Sequence, residues 1–370
     1  MRTTVAQSER EERYYVASQW SLIWRNFKKH RLGLAALPVL GCLYFLAVFG
    51  EFISAYTPVT YFRDRENVPP QGIHFVRPDG TFRLRPFIYG LEKEMDPDTF
   101  RQVYRHDTTT VVPLRFFVAG EPYKMWNLFH ADLHLFGAEG EAVLLFGSDR
   151  LGRDLLTRII YASRISLTVG LVGVIMTFVF GMVLGGMSGY FGGVVDTVVM
   201  RAIDFVISLP TIPLWMALAA ALPASWSSIQ IYFAITLIFS VIGWAGLARV
   251  IRGKLLALRE EDFVMAAKIA GASNASIIAR HLLPSFASYL IVNLTIAVPS
   301  MILGETALSF LGLGIRPPSV SWGTLLQDAQ KLQVLAHQPW LLLPCIFVIV
   351  TVLMYNFLGD GLRDAADPYR

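Results

Sequence analysis

Six apolar segments, each long enough to cross a lipid bilayer, constrain the fold of this chain more than any other feature. A helix needs about 20 apolar residues to span the hydrocarbon core. The segments cover residues 33–53, 165–187, 204–222, 230–250, 286–312 and 339–359. Because lipid cannot satisfy free backbone groups, each segment is predicted to be helical. Pro210, Pro213 and Pro299 lie in or beside these segments, and membrane helices tolerate such prolines.

The composition also favours a membrane protein. Of the 370 residues, 54% are hydrophobic and 16% are charged, whereas soluble domains carry about 25% charged residues. A net charge of +4 can indicate nucleic-acid binding, but here the basic residues stand beside the apolar segments. That arrangement is typical of residues that set membrane orientation.

Lysine and arginine predict which ends of the segments face the cytoplasm. They crowd the entry to the first segment, the loop between the fourth and fifth, and the end of the chain. They are Arg25, Lys28, Lys29, Arg31, Arg252, Lys254, Arg259, Lys268, Arg280, Arg363 and Arg370. Both termini and the fourth-to-fifth loop are therefore predicted to be cytoplasmic. A further basic cluster, within residues 150–164, ends a long polar loop, and long loops translocate largely regardless of charge.

The chain divides into four predicted parts. They are a cytoplasmic tail at 1–32, the first transmembrane helix at 33–53, an outer insert of mixed structure at 54–150, and a five-helix core at 151–370 with the cytoplasmic loop 252–285. In the tail, residues 10–30 are predicted to form an interfacial helix. Its apolar face carries Trp20, Trp24 and Phe27, and its polar face carries Arg13, Arg25 and Lys28.

Two short patterns stand out inside the insert. The run Val111–Ala119 has the composition of a β-strand. His130, Asp132 and His134 form an H-x-D-x-H run, in which the two histidines would share one face of a helix, as metal ligands can. No further ligands are evident nearby. Neighbouring aromatic residues favour the simpler interpretation of a packed amphipathic turn.

The cytoplasmic loop 259-REEDFVMAAKIAGASNASIIARHLLPS-285 predicts two short helices. Acidic residues at 260–262 suit a helix N-terminus, where the dipole favours negative charge. Gly271 is expected to end this helix, and the residues at 272–274 to cap a second one. Ala266 and Ala267 are expected to be exposed at the tip, where small residues let the groove of another protein approach closely.

This loop resembles the coupling loop of ABC importer permeases, in which Glu-Ala-Ala is followed by Gly and then by Ile-x-Leu-Pro. The matching positions are Ala266, Ala267, Gly271, Leu283 and Pro284. Met265 replaces the Glu and His281 replaces the Ile. The resemblance implies that these seven residues form the contact with an ATPase, although an ordinary amphipathic connector is the alternative interpretation.

Four further blocks, at residues 147–170, 189–210, 304–323 and 359–370, resemble the C-type permease of dipeptide and oligopeptide importers in the family's order. The resemblance runs continuously from about residue 147 to the end and more loosely through the first 50 residues. It implies an all-α membrane protein of the type I ABC importer permease fold, with six transmembrane helices and a small mixed periplasmic insert after the first. It also implies a channel-forming importer subunit in the bacterial inner membrane.

The resemblance implies partners that supply the energy and the substrate. They are a second homologous permease, two ATPase subunits or one fused tandem ATPase, a periplasmic or lipid-anchored peptide-binding protein, and the peptide itself. The sequence has no G-x-x-x-x-G-K-[ST] phosphate loop, no H-E-x-x-H and no evident Ser/His/Asp arrangement. We therefore expect no enzymatic activity and no cofactor on this chain, with ATP and magnesium bound by the partner ATPases.

Charged residues in or beside the apolar segments are candidates for gating or for the transport pathway. Asp196, Arg201 and Asp204 flank a predicted cytoplasmic turn, where pairing across the helix bend is favoured over a direct part in gating. Glu305 lies inside the fifth segment, where an ionisable group is a functional candidate. Hydrogen bonding to neighbouring helices is favoured over substrate contact.

Several alternatives stay open at this point. The long first outer loop resembles the branch that imports longer oligopeptides and microcin C, and a nickel importer subunit of the same family has similar motifs. A stand-alone secondary transporter belongs to a different class and predicts inverted repeats and several intramembrane charges. Glu305 alone fits that class poorly. A membrane enzyme needs a convergent polar pair inside the spans, and none stands out.

Overall fold

A computed structural model describes residues 19–77, 80–95, 97, 102–138 and 140–366. The described helices are α1 (Gln19–Phe27), α2 (Arg31–Val48), α3 (Gly50–Ile53), α4 (Leu155–Phe191), α5 (Gly193–Ser208), α6 (Thr211–Ala220), α7 (Ser228–Leu258), α8 (Asp262–Ile269), α9 (Asn274–Ser276), α10 (Leu283–Ser285), α11 (Ala287–Phe310), α12 (Trp322–Gln327), α13 (Leu332–His337) and α14 (Leu343–Ala366). A π-helix occupies Ile277–Leu282, and short 3₁₀ turns occupy Asp328–Gln330 and Pro339–Leu342.

Five of the six predicted spans are long apolar helices, and the third is broken. Among the described residues, α2, α4, α7, α11 and the segment Pro339–Ala366 are long and apolar enough to cross a membrane. The predicted third span, 204–222, is wrong as a single helix, because α5 and α6 meet at 88°. Leu209 is extended at the break and precedes Pro210, which disfavours helical backbone in the residue before it.

The long helix α4 organises the core. It packs against α2, α7 and α11, and its contact with α7 is unusually close. A Cβ added at Gly185 would lie 2.5 Å from the carbonyl oxygen of Ala248, and one at Gly189 would lie 2.8 Å from that of Arg252. Small residues four apart let two membrane helices approach along their backbones. Any larger side chain at these two glycines would force α4 and α7 apart.

The insert contains two antiparallel β-structures. The strands are β1 (His74–Val76), β2 (Phe82–Met95), β3 (Gln102–Pro113), β4 (Arg115–Met125) and β5 (Phe129–Gly137). Among the described residues β1, β2 and β3 form one sheet, and β4 pairs with β5 in a hairpin. The predicted strand Val111–Ala119 is wrong as one element. It spans the end of β3 and the start of β4, which are separated by the buried Leu114.

The predicted interfacial helix is described only from residue 19 onward, and its part before residue 19, together with the side chain of Trp20, lies outside the described residues. In α1 the ring of Trp24 is half-exposed and stacks on Phe27, with centroids 5.7 Å apart. Lys28 lies over the Trp24 ring. Phe27 is buried against the rest of the protein, whereas Trp24 on the same aromatic face of α1 is exposed.

Two segments that we name the clasp, residues 62–71 and 147–154, join the insert to the core. Ser148 Oγ accepts a hydrogen bond from the backbone of Val68 at 2.8 Å, and the backbone of Asn67 donates to the carbonyl of Asp149 at 3.0 Å. Gly152 has φ +73°, and a Cβ there would lie 2.2 Å from the carbonyl oxygen of Phe62. The clasp therefore tolerates only glycine at this position.

We predict that Gly152→Ala destabilises the protein more than Gly80→Ala does. Both glycines have left-handed backbone, but Gly80 has no heavy atom within 4 Å of the added Cβ position. The difference between the two variants therefore isolates the clash with Phe62, for which overpacking costs of about 1–3 kcal/mol are usual. Thermal unfolding of the purified protein in detergent measures it. Equal midpoints for the two variants would contradict the close contact.

Candidate functional site

The predicted coupling segment is a helical unit held in place by its buried face. Val264 on α8 and Ile277 and Leu282 on the π-helix are fully buried. They share one apolar cluster with Ile251 and Leu255 of α7. The predicted helix start, glycine break and second helix are all present, and the Ser273 side chain accepts a hydrogen bond from the backbone of Ser276. This anchoring joins the segment rigidly to a membrane helix.

The opposite face of the segment is exposed and largely apolar. Ala266 is exposed, as predicted, and so is Met265. Ala267 corrects the prediction: it is half-buried, because it packs against the cluster beneath α8. Phe263 and Ile269 extend the exposed face, with Ile269 86% exposed. The sequence comparison with coupling loops missed these two residues, although their spacing from Ala266 on a helix was visible.

The remaining residues matched to the coupling loop lie farther along the segment. His281 and Pro284 are exposed and Leu283 is half-buried. Pro284 stands in the short helix α10, which ends at Ser285, and Phe286 leaves the helical conformation before α11 begins. The proline therefore separates the coupling segment from the following span. All three positions follow α8 in the chain and do not belong to its exposed apolar face, which is formed by residues 263–269.

Gly271 has φ +79°, and a Cβ added there would meet no heavy atom within 4 Å. We therefore predict that substitution at this position acts through backbone strain alone. Gly271→Val is expected to distort the turn after α8 and lower uptake, because β-branched residues disfavour left-handed backbone. Gly271→Asn, which tolerates this conformation, is expected to retain most uptake. Uptake assays with both variants at matched membrane levels test this, and equal uptake would argue against it.

The two carboxylates of α5, Asp196 and Asp204, bond to arginines of α7 and not to Arg201. Asp196 accepts a bidentate pair of hydrogen bonds from Arg252, one of them 2.6 Å long, and another from Ser188 Oγ at 2.5 Å. Asp204 accepts one from Arg249 at 2.6 Å. The predicted pairing across the bend is therefore wrong in its partners. The two arginines sit one helical turn apart on α7, so α5 is fixed to α7 at two levels.

Arg201 is exposed on α5, between the two carboxylates in sequence. Its neighbour Ala202 is also exposed. The buried residue that packs α5 against α7 is the next one, Ile203. The geometry brings Asp196 and Asp204 to α7 and leaves the Arg201 side chain facing outward. The three residues predicted together thus do not form one cluster.

Glu305 is fully buried in α11, at the centre of a hydroxyl network. Its carboxylate accepts hydrogen bonds from Ser309 Oγ at 2.6 Å and from Ser166 Oγ at 3.2 Å. Ser166 Oγ in turn accepts from the backbone of Trp322, and Ser309 Oγ accepts from that of Ile315. The network ties α4, α11 and the start of α12 together. This geometry fits the hydrogen-bonding interpretation of Glu305 better than contact with a passing substrate.

The H-x-D-x-H run lies on strand β5, so the helical turn predicted for it is wrong. His134 is buried, with one ring nitrogen 2.5 Å from the carbonyl oxygen of Ser54 and the other 2.9 Å from that of Glu121. His130 is exposed. The ring of His134 therefore joins the hairpin to the chain that follows α3. Among the described residues no group of three or more His, Cys, Asp or Glu side chains is placed to hold a metal.

A buried carboxylate pair lies at the clasp. Asp149 accepts hydrogen bonds from Arg153 Nε at 2.7 Å and from Arg158. Asp154 caps α4 by accepting from the backbone of Thr157 at 2.8 Å, and its other oxygen has no hydrogen-bond partner among the described residues. Burial, with a smaller contribution from Asp149, raises the pKa of Asp154 from 3.8 to about 6.

We predict that Asp154 makes stability depend on pH. Its pKa is higher in the folded than in the unfolded chain, so its contribution is fully present below pH 3.8 and is lost as the pH rises through about 6. Asp154→Asn keeps the cap and stays neutral. It is therefore expected to weaken the dependence of the unfolding temperature on pH between 3.8 and about 6. The exposed Asp132→Asn is the control and should keep the wild-type profile. Parallel profiles for wild type and Asp154→Asn would contradict the assignment.

Comparison with known proteins agrees with this architecture. Residues 178–369 match the family described as binding-protein-dependent transport system inner membrane component, and residues 18–70 match the N-terminal TM domain of oligopeptide transport permease C. The chain is 30% identical over 345 residues to the dipeptide transport system permease protein DppC of Bacillus subtilis, which covers 93% of this chain and 84% of that protein. It is 39% identical over 245 residues to the oligopeptide transport system permease protein OppC of Haemophilus influenzae, which covers 66% of this chain and 74% of that protein.

The matched regions include the helices and the coupling segment described above. The family match takes in α5 to α14, so it contains Asp196, the α8 surface and Glu305 together. The Bacillus subtilis relative is matched over most of its length. The apolar helices and these matches identify a multi-pass inner membrane protein. This chain belongs to the family of binding-protein-dependent transport system inner membrane components.

Proposed function

We propose that this chain is a channel-forming, non-catalytic permease subunit of an ATP-driven importer of peptides. The observation that carries the proposal is the exposed apolar face of α8, held rigidly on α7 by its buried face. An exposed apolar patch on an anchored segment is typical of a protein–protein contact. The relatives named for dipeptide and oligopeptide transport support peptides as the substrate class.

The proposed assembly follows from the family. This chain pairs with a second homologous permease, two ATPase subunits or one fused tandem ATPase dock on the α8 surface, and a periplasmic or lipid-anchored binding protein delivers the peptide. The chain itself binds no cofactor, and ATP and magnesium lie on the ATPases. Basic residues before α2, around α8 and after the last span support cytoplasmic termini and a cytoplasmic coupling segment.

The contacts suggest how movement of the ATPases reaches the channel. A push on α8 passes through Val264 and Leu282 to Leu255 on α7, because all three belong to one packed cluster. Helix α7 touches α4 backbone to backbone at Gly185, and it holds α5 through Asp196. A displacement of α8 therefore shifts three membrane helices as a unit. Alternating access is then a two-state rearrangement biased by ATP on the partners.

Other substrates and classes are less well supported. Nickel is not favoured, since the relatives described above are named for dipeptides and oligopeptides. None of those relatives is named for microcin C, so that branch rests on the long insert alone. A stand-alone secondary transporter is disfavoured because Glu305 is fully buried and is enclosed by serine hydroxyls.

Co-purification tests the proposal directly. A tagged chain, extracted in mild detergent from its native host, is expected to carry a second permease and an ATPase, both identified by mass spectrometry. Reconstitution of that complex with its binding protein is expected to give ATP-dependent peptide uptake. A chain that purifies alone, and that transports peptide without ATP, would overturn the proposal in favour of a secondary transporter.

A further inference from the structure

The β4–β5 hairpin ends in an exposed apolar tip that the transport role does not explain. Trp126, Leu128 and Phe129 are 42%, 71% and 61% exposed. They stand together at the turn, where Met125 pairs with Phe129. Monomeric surfaces rarely expose large apolar side chains in a contiguous group without a partner. The tip therefore needs an occupant.

The position of the tip relative to a membrane helix identifies that occupant. The indole Nε1 of Trp126 donates a hydrogen bond to the carbonyl of Val48, the last residue of the spanning helix α2, at 2.7 Å. The rings of Phe45, Phe49 and Trp126 form a continuous row, with successive centroids 4.8 and 5.8 Å apart. Phe45 is itself 54% exposed on α2. The exposed wall of the span thus continues without interruption into the hairpin.

A second contact fixes the hairpin at the same level. The ring of Phe117 on β4 lies 6.2 Å from that of Phe52 in α3, and Phe117 is 64% exposed. Aromatic side chains therefore line both the turn and the first half of β4 where they meet the end of the span. Tryptophan and tyrosine are enriched at this depth of a bilayer, where the polar headgroups meet the acyl chains, and Trp126 lies there beside these phenylalanines.

The turn places Trp126 in a left-handed backbone conformation that bulky residues disfavour. Trp126 and Asn127 have φ of 51° and 59°, and the backbone of Leu128 donates to the carbonyl of Met125 at 2.9 Å. This is the pattern of a type I′ turn, whose central positions usually carry glycine or asparagine. A bulky residue with positive φ is unfavourable and persists where its side chain has a use. The turn alone gives no reason for tryptophan.

Basic and aromatic groups also line the groove beside the tip. A groove of about 580 Å³ is bordered by residues that include Lys124, Tyr123, Tyr161 and Arg164. Arg164 also bonds both oxygens of Glu51 at 2.6 Å, which anchors it at the junction of α3 and α4. Because Glu51 also lines the groove and neutralises Arg164, Lys124 is the cation that suits the phosphate level of a membrane surface.

We propose that the β4–β5 hairpin is a lipid anchor, whose tip residues Trp126, Leu128 and Phe129 enter the headgroup region of the leaflet on the insert's side. The inference goes beyond the proposed function, since a permease needs no lipid contact from its insert. It does not depend on which peptide is carried or on which side of the membrane the insert faces. The anchor holds the hairpin, and through His134 the chain after α3, at a fixed depth.

Lipid-borne quenching tests the anchor. A Leu128→Cys variant, with Cys42→Ala and Cys345→Ala, is labelled with bimane in the assembled complex and reconstituted in vesicles of phosphatidylcholine brominated on the acyl chains. Leu84→Cys in the same background is the matched control, because Leu84 is 87% exposed on β2 in the other sheet. We expect several-fold stronger quenching by bromolipid at position 128 than at position 84.

The alternative occupants give different results, and each overturns the proposal. Strong quenching of position 128 by aqueous iodide, with none by bromolipid, would place the tip in water. Blue-shifted emission with quenching by neither agent would place it against a protein, such as the second permease. If Leu128→Cys does not assemble, Phe129→Cys at the adjacent exposed position provides the same measurement.

Discussion

Replacing Ala266 by arginine is expected to abolish peptide uptake while the chain still inserts in the membrane. Ala266 is exposed on α8, within a face formed by Phe263, Met265 and Ile269. A guanidinium at this point would be buried without a partner when the ATPase docks. Truncated or unpaired buried charges at interfaces cost roughly 2–5 kcal/mol, which is more than about a tenfold loss of affinity. Loss of the ATPase contact then removes ATP-driven uptake.

The measurement separates docking from folding. Uptake of a labelled peptide, the amount of variant in the membrane and the ATPase recovered with it are determined together. Ala266→Ser, which adds one small polar group at the same place, is the control and is expected to keep uptake. Normal uptake and normal ATPase recovery with Ala266→Arg would show that α8 is not the docking surface.

The two-helix form of the proposed coupling segment was predictable from the sequence because its determinants are local. A helix start, a glycine with positive φ and a capping serine act within a few residues, and Gly271 and Ser273 take those roles in the structure. The partial burial of Ala267 was not predictable in the same way. Its burial depends on the cluster around Leu255, which comes from another helix.

The partners of the charged residues were beyond a sequence-based prediction. Asp196 and Arg252 are 56 residues apart, and only the close packing of α4, α5 and α7 brings them together. Hydropathy likewise located the apolar residues of the third segment but not the 88° bend, which changes direction and not composition. The glycines of α4 at positions 185 and 189 offered a usable signal, since small residues at a four-residue spacing predict close helix packing.

Replacing residues 75–112 by a short Gly/Ser linker is expected to leave the channel assembled and to lower the stimulation of ATP hydrolysis by the binding protein. The register makes this exchange feasible. His74 and Pro113 both pair with Phe87, from opposite sides of β2. They therefore lie two strand spacings apart, about 10 Å. A linker of about five residues covers that distance without strain.

The boundaries of this replacement keep the bonds between the two clasp segments, such as those of Ser148 with Val68 and of Asn67 with Asp149. A wider exchange, such as residues 60–140, would also remove the hairpin, Asn67 of the clasp, and His134, which contacts the carbonyl of Ser54. A loss of assembly in that variant could then come from any of these changes and would be uninformative. The side chain of Gln71 accepts a hydrogen bond from the backbone of Leu144 at 2.6 Å, which helps to hold the retained chain on the core. The narrower variant loses the three-stranded sheet and the hydrogen bonds that join it to the clasp through Arg65, Gln71 and Tyr104.

The sheet has two features of a docking site for a delivering protein. Both ends of β2 carry exposed apolar side chains, among them Leu84 and Met95, which are 87% and 63% exposed. A groove of about 750 Å³ separates β3 from the chain around α13, and its lining includes Tyr104, His337 and Trp340. Ordering this much extra chain costs roughly 1–2 kcal/mol per residue. Packing within the sheet offsets part of that cost, and its exposed ends leave surface for a partner.

A point-substituted variant distinguishes the sheet's surface from its presence. Leu84→Ser with Met95→Ser keeps every strand pairing but removes the exposed apolar ends, so it is expected to reproduce part of the loss in stimulation. Stimulation is measured as ATP hydrolysis by the reconstituted complex with and without the binding protein, and basal hydrolysis is expected to stay unchanged. If the linker variant assembles and is stimulated as strongly as the wild type, the sheet has no part in delivery. Its role is then confined to packing on the rim of the channel.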